Sequence, residues 1–300
     1  MLKSSVLPAA ALAATLLGGC SAAGPADVAA PSSADDAHNL RAALAGLGPA
    51  AAACAAAPPS GYAPAGLELL AAHAPAWLAA IPAPVAESSP AADAAGGGDA
   101  APVAATASQS PGAEAGCDPD ALERDLRRTQ TLAARLAASS QVATAIARAA
   151  SADEAIIFGT LPDDAEPPPV EDLAALDQPA LSDLAAAEDQ AGFLGEYLAA
   201  QLAEGPERKR LIASAARHRQ RGQTLATMAG GDDPRAAAYQ LGERPADAAA
   251  VHARWAAAEL ALASHYAALP VNSGVELAVR WQLVEAAAWG AALPALPFHE

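Results

Sequence analysis

Four ionisable residues stand out because of where they fall along the chain. In "LSDLAAAEDQAGFLGEYLAAQL", residues 181–202, apolar or small positions recur at helical spacing through Leu181, Leu184, Ala191, Gly195, Leu198 and Leu202, and the stripe is interrupted by Glu188. The same reading places His218 between Ala215 and Gly222 in residues 206–229, and Glu259 between Trp255 and Leu262 in residues 246–269. In residues 273–292 the stripe runs Leu277, Trp281, Val284 or Glu285, and Ala288, so Glu285 lies at its edge. Each segment carries one such carboxylate or imidazole near its midpoint on or beside the inward face. Three carboxylates and an imidazole converging between helices must be compensated, because desolvation and mutual repulsion otherwise force protonation or unfolding.

Two kinds of compensation are open. A metal ion can be held by inward carboxylates and histidines from four helices, and the full di-iron pattern takes a Glu from each of two helices and Glu-x-x-His from each of the other two. Here Ala215 stands where the second helix needs its Glu, and Ala288 where the fourth needs its His. Two of six ligands are missing, which leaves at most one iron, manganese or zinc ion on Glu188, His218, Glu259 and Glu285. Otherwise the acids reach solvent or pair with Arg217, Arg219, Arg254 or Arg280, and no metal or other cofactor is needed.

The elements that must position these groups are helices. The chain is 53% hydrophobic but only 4% aromatic, so its apolar content is mostly alanine, the best helix former. No alternating β-branched run occurs; the only strand-like scrap is Ile156-Ile157-Phe158. An all-α fold is therefore expected. Four segments of similar length, about 179–203, 206–229, 246–269 and 273–292, are punctuated by Gly205-Pro206, Gly230-Gly231, Pro245 and a capping box at Ser273…Glu276. Short connections make them an up-and-down four-helix bundle, with Gly231 to Pro245 the one connection long enough to cross over. Upstream, a helix from near Asp35 ends at Gly48-Pro49, a shorter one spans Leu67 to Ala80 with a kink at Pro75, and Asp118-Pro119 opens a third, followed by a fourth through Val142 and Ile146. Residues 82–116 and 160–178 read as linkers rich in proline, the first of them disordered.

The N-terminus reads as a targeting segment, residues 1–19: Lys3, an apolar run from Val6 to Leu17, then Gly18-Gly19-Cys20. This ending resembles the lipobox of bacterial lipoproteins. The resemblance implies lipid attachment at Cys20, cleavage before it, and residues 20–33 as a tether on the outer face of the cell membrane. Outside the cytoplasm the remaining cysteines, Cys54 and Cys117, are free to form a disulfide. A formal charge of −17 makes nucleic acid a poor partner. The one basic concentration, Arg208, Lys209, Arg210, Arg217, Arg219 and Arg221, faces anionic headgroups or a phosphate, or pairs with neighbouring acids. Trp255, Trp281 and Trp289 read as core anchors. Ser264-His265 lacks any nucleophile elbow, and no glycine loop suited to phosphates lies in a folded segment.

Taken together, "LAAAEDQAGFLGEYLAAQL", "SAARHRQRGQTLATM", "AAAYQLGERPADAAAVHARWAAAELALASHYAAL" and "AVRWQLVEAAAWGAALPALP" resemble the ferritin-like domain of unknown function found in exported and lipid-anchored proteins of high-GC Gram-positive bacteria. The resemblance covers residues 179–300 well and residues 34–159 loosely. It implies a ferritin-like bundle without an established activity, in which Glu188-Asp189 replaces the commoner Glu-His pair. The expected protein is a lipid-anchored envelope component that binds or scaffolds a partner protein or ligand, rather than an enzyme. The alternative is a metal-binding or oxidoreductase protein with a degenerate site.

Overall fold

The computed structural model describes residues 33–82, 116–159 and 167–298, and among the described residues every regular element is a helix. In chain order these are α1 (Ser33–Ala56), α2 (Pro64–Ala80), α3 (Pro119–Leu136), α4 (Gln141–Phe158), a 3₁₀ turn (Val170–Leu173), α5 (Gln178–Ala199), α6 (Pro206–Ala229), α7 (Ala248–Ala267) and α8 (Ser273–Ala288). The leader, Cys20 and all but the last residue of the tether lie outside the described residues, as do residues 83–115 of the first linker.

Local chemistry accounts for most boundaries. The side chains of Asp118, Ser140, Asp177, Asp247 and Asn272 each accept a hydrogen bond from a backbone N–H in the first turn of the helix that follows. The structure decides three points of the sequence reading. First, α1 does not stop at Gly48-Pro49 but runs on to Ala56. Pro49 and Ala45, whose carbonyl the proline leaves without a donor, are both exposed and can be hydrated, while Leu40, Leu44, Leu47, Ala51 and Cys54 form one continuous buried face. Second, Ile156-Ile157-Phe158 is the last turn of α4, closed by Gly159 in the left-handed conformation (φ 58°). Third, α8 is capped by Asn272, and Glu276 instead forms an ion pair with Arg148 on α4, with an Nη2–Oε1 distance of 2.7 Å.

The described residues belong to one compact unit starting at Ser33. The N-terminal helices α1–α4 share a core of Leu44, Leu67, Leu70, Trp77, Leu122 and Ile146. Helix α4 packs on α8. The 3₁₀ turn sits within the second proline-rich linker and buries Val170 and Leu173 beside α6 and α8.

The relative direction of the C-terminal helices follows from which residues meet. A Cβ built on Gly222 of α6 would stand 2.9 Å from the Ala185 carbonyl, and one on Gly195 of α5 would stand 2.8 Å from Ala215, so α5 and α6 are antiparallel and very close. Glu188 meets Tyr266 while Gly195 meets Trp255, which makes α5 and α7 antiparallel as well. Pairs of α6 with α7, namely Glu207–His252, His218–Glu259 and Arg221–Tyr266, advance together. These two helices are parallel. Strict up-and-down connectivity is thus not what forms; residues 230–247 run back along the helices, pinned midway by the Tyr239 hydroxyl donating to Asp189 Oδ2 at 2.9 Å.

Candidate functional site

Glu188, His218 and Glu259 meet between α5, α6 and α7, all less than 4% exposed. The His218 ring lies between the two acids, with Nδ1 2.6 Å from Glu188 Oε2 and Nε2 3.2 Å from Glu259 Oε1. Its edge rests against Trp255, ring centroids 5.5 Å apart. The other oxygen of Glu188 accepts two more hydrogen bonds, from Arg221 Nε at 2.9 Å and from the Tyr266 hydroxyl at 2.5 Å. Arg221 also donates to Tyr266 through Nη2 at 2.9 Å and to the Pro168 carbonyl through Nη1, so one guanidinium fastens the cluster to the segment before the 3₁₀ turn.

Two carboxyl groups face an imidazole and a guanidinium, and protonation follows that arrangement. Burial works against every charge here. The His218 and Arg221 cations overcome it at Glu188, whose carboxyl is held down at about 2. At His218, burial would favour the neutral ring, but Glu259 and Glu188 push it up to about 10, so it is an imidazolium at neutral pH. Burial raises Glu259; His218 pulls it back, while Glu285 and Glu188 raise it further. Burial together with the Glu188 charge keeps the Tyr266 phenol protonated far above its ordinary range.

The fit to a metal is poor on these contacts. A metal-bound histidine presents a bare nitrogen to the ion. Both ring nitrogens of His218 face carboxylates, and both oxygens of Glu188 are engaged by the protein's own donors. Glu285, the fourth expected ligand, is buried but stands at the rim, 3.6 Å from Arg210 and 3.9 Å from Arg217. Among the described residues no group of three or more His, Cys, Asp and Glu side chains is arranged to hold a metal ion.

Sequence reasoning brought Glu188, His218 and Glu259 together and missed Arg221 and Tyr266. Arg221 belongs to the run read as a basic surface, yet it is only 7% exposed. Its signal was spacing: three residues after His218, it falls on the same face of α6. Three of its neighbours in that run pair with acids: Arg219 lies 2.9 Å from the buried Asp189, and Arg210 and Arg217 flank Glu285. Trp255, Trp281 and Trp289 are buried, as core anchors should be.

A second buried pair, of a histidine and a carboxyl group, was also missed. His73 Nδ1 on α2 lies 2.8 Å from Asp153 Oδ2 on α4, and its Nε2 donates to the Leu293 carbonyl at 3.1 Å. Burial disfavours the His73 cation, but Asp153 raises its pKa overall; burial also raises Asp153. With Trp77 Nε1 donating to the Ala295 carbonyl, this pair fastens the C-terminal segment to α2. Cys54 and Cys117 form a disulfide, Cα atoms 4.4 Å apart, joining the end of α1 to the start of α3. Among the described residues no helix is long and apolar enough to cross a membrane. No protein-family model, curated protein or solved structure matches this chain.

Proposed function

We propose that this chain is a lipid-anchored component of the cell envelope, held to the outer face of the membrane through Cys20, whose helices α5–α8 form a ferritin-like four-helix bundle with a non-catalytic, binding or scaffolding role. The long crossover between two parallel helices is the connection that ferritin-like bundles use. One observation carries the functional reading: the place where such a bundle would hold metal is filled by the ion pairs of Glu188 and Glu259 with His218 and Arg221. The partner is an envelope protein or ligand, and an acidic surface argues against nucleic acid.

A second reading has a specific observation behind it. Glu259 Oε2 is buried without a hydrogen-bond partner, and Glu285 raises the charge pressure on it. A single iron, manganese or zinc ion displacing the His218 proton would relieve both. Elemental analysis of protein purified without chelator separates the readings: the non-catalytic bundle contains no stoichiometric iron, manganese or zinc, and a one-to-one content would establish the metal protein instead. For the anchor, a Cys20→Ala variant is expected to stay uncleaved or to be shed; unchanged processing and membrane attachment would contradict it.

A further inference from the structure

Behind the α5 wall of the cluster lies a separate hollow of about 270 Å³, bounded by α5, α7 and the crossover. Its lining is mixed: Leu194, Ala258 and Leu262 are apolar, Gln240 and His265 are polar, and Arg254 lines one side. The roof is tied down at three points. The Tyr239 hydroxyl donates to Asp189, the Tyr239 ring packs on Phe193 with centroids 5.5 Å apart, and Arg254 Nη1 donates to the Glu243 carbonyl at 2.6 Å. The hollow is therefore a built feature and does not depend on a loose loop.

Arg254 sets the chemistry. In a chain with a formal charge of −17, cations are expected to sit beside carboxylates, and Arg210, Arg217 and Arg219 of α6 do so. Among the described residues Arg254 has no carboxylate within ion-pair distance; it makes the single carbonyl bond above and lies over the Tyr197 ring at 5.9 Å. Most of its five N–H donors are uncommitted, and the two contacts hold the guanidinium in place without neutralising it. A fixed, uncompensated cation beside a hollow with an apolar strip along α5 and α7 is complementary to a ligand with an anionic head and a hydrocarbon body.

We infer that this hollow binds a small amphipathic carboxylate, head on Arg254 and hydrocarbon body along α5 and α7. The volume lies near the lower edge of small-molecule pockets, roughly 300–1,000 Å³, which selects a medium-chain body over a long acyl chain. This site is distinct from the His218 cluster, and it does not depend on how the chain is anchored.

The test is calorimetric titration of the folded, disulfide-bonded chain with octanoate and, separately, with 1-octanol, which has the same body and no charge. Saturable one-to-one octanoate binding at least about tenfold tighter than octanol is expected, the size of a charge-assisted hydrogen bond. Arg254→Gln, checked for native helicity by circular dichroism, should lose about that tenfold for octanoate and leave octanol unchanged, while Arg254→Lys should retain part of the preference. Absence of saturable octanoate binding, equal affinity for octanol, or undiminished octanoate affinity in folded Arg254→Gln would each overturn the assignment. The comparison of the two ligands on the unaltered chain decides the matter even should a variant misfold.

Discussion

Replacing Glu188 by Gln changes a few atoms and removes the charge on which the cluster turns. Glu188 accepts from His218 at 2.6 Å, Arg221 at 2.9 Å and Tyr266 at 2.5 Å, and it is fully buried. With Gln, two buried cations face only Glu259. The amide also has a single oxygen, so its NH₂ must point at a donor on one side or the other. Removing one partner of a buried pair costs about 3–5 kcal/mol. Urea unfolding followed by circular dichroism should show that loss as a lower midpoint with an unchanged slope, and a melting temperature about 10 °C lower. A loss below about 1 kcal/mol would refute the reasoning, because it would mean that Glu188 is hydrated or that its partners are not charged.

The same ion pair predicts how stability varies with pH. His218 is raised from 6.5 to about 10, so its contribution is complete below pH 6.5 and disappears as pH rises through 10, a change on the order of 5 kcal/mol. Glu188 is lowered from 4.5 to about 2, so its contribution is present above 4.5 and is lost as pH falls toward 2. Urea midpoints should therefore peak between about pH 4.5 and 6.5; a midpoint still rising from pH 7 to 10 would contradict the assignment of the imidazolium. Reducing the Cys54–Cys117 bond, 63 residues apart in sequence, should cost about 4 kcal/mol by the loop-closure argument, and equal melting temperatures with and without reductant would argue against it. Gly222→Ala must push a Cβ against the Ala185 carbonyl and the Asp189 backbone nitrogen, at 2.9 and 3.0 Å, and should destabilise by about 1–3 kcal/mol where an alanine in an open helix would stabilise.

The helices were legible because alanine content and capping residues act locally, and Asp118-Pro119 is where α3 begins. What local signals could not supply was direction. Nothing in Gly231 to Pro245 distinguishes a turn between antiparallel neighbours from a run back along the bundle; the pairing of His218 with Glu259 and of Arg221 with Tyr266 decides it. Proline misled at position 49 because a helix with an exposed break and a continuous buried face survives one missing hydrogen bond. In the site, period-3.6 spacing found three buried groups because each interrupts an apolar stripe. It failed at Arg221, where a run of arginines and histidine reads as surface, and at Tyr266, which reads as one more apolar position. Asp153 falls seven residues after Ile146 and four before Ile157, both fully buried, so its burial was legible, but its partner His73 is 80 residues away.

The most direct test of the account is the nitrogen-15 spectrum of His218 in the full chain, assigned by comparison with His218→Gln and followed from pH 5 to 11. If two carboxylates clamp an imidazolium, both ring nitrogens carry protons at pH 7 and deprotonation is seen only near pH 10. A neutral ring at pH 7 with one bare nitrogen would contradict the self-neutralised cluster and return His218 to the role of a ligand.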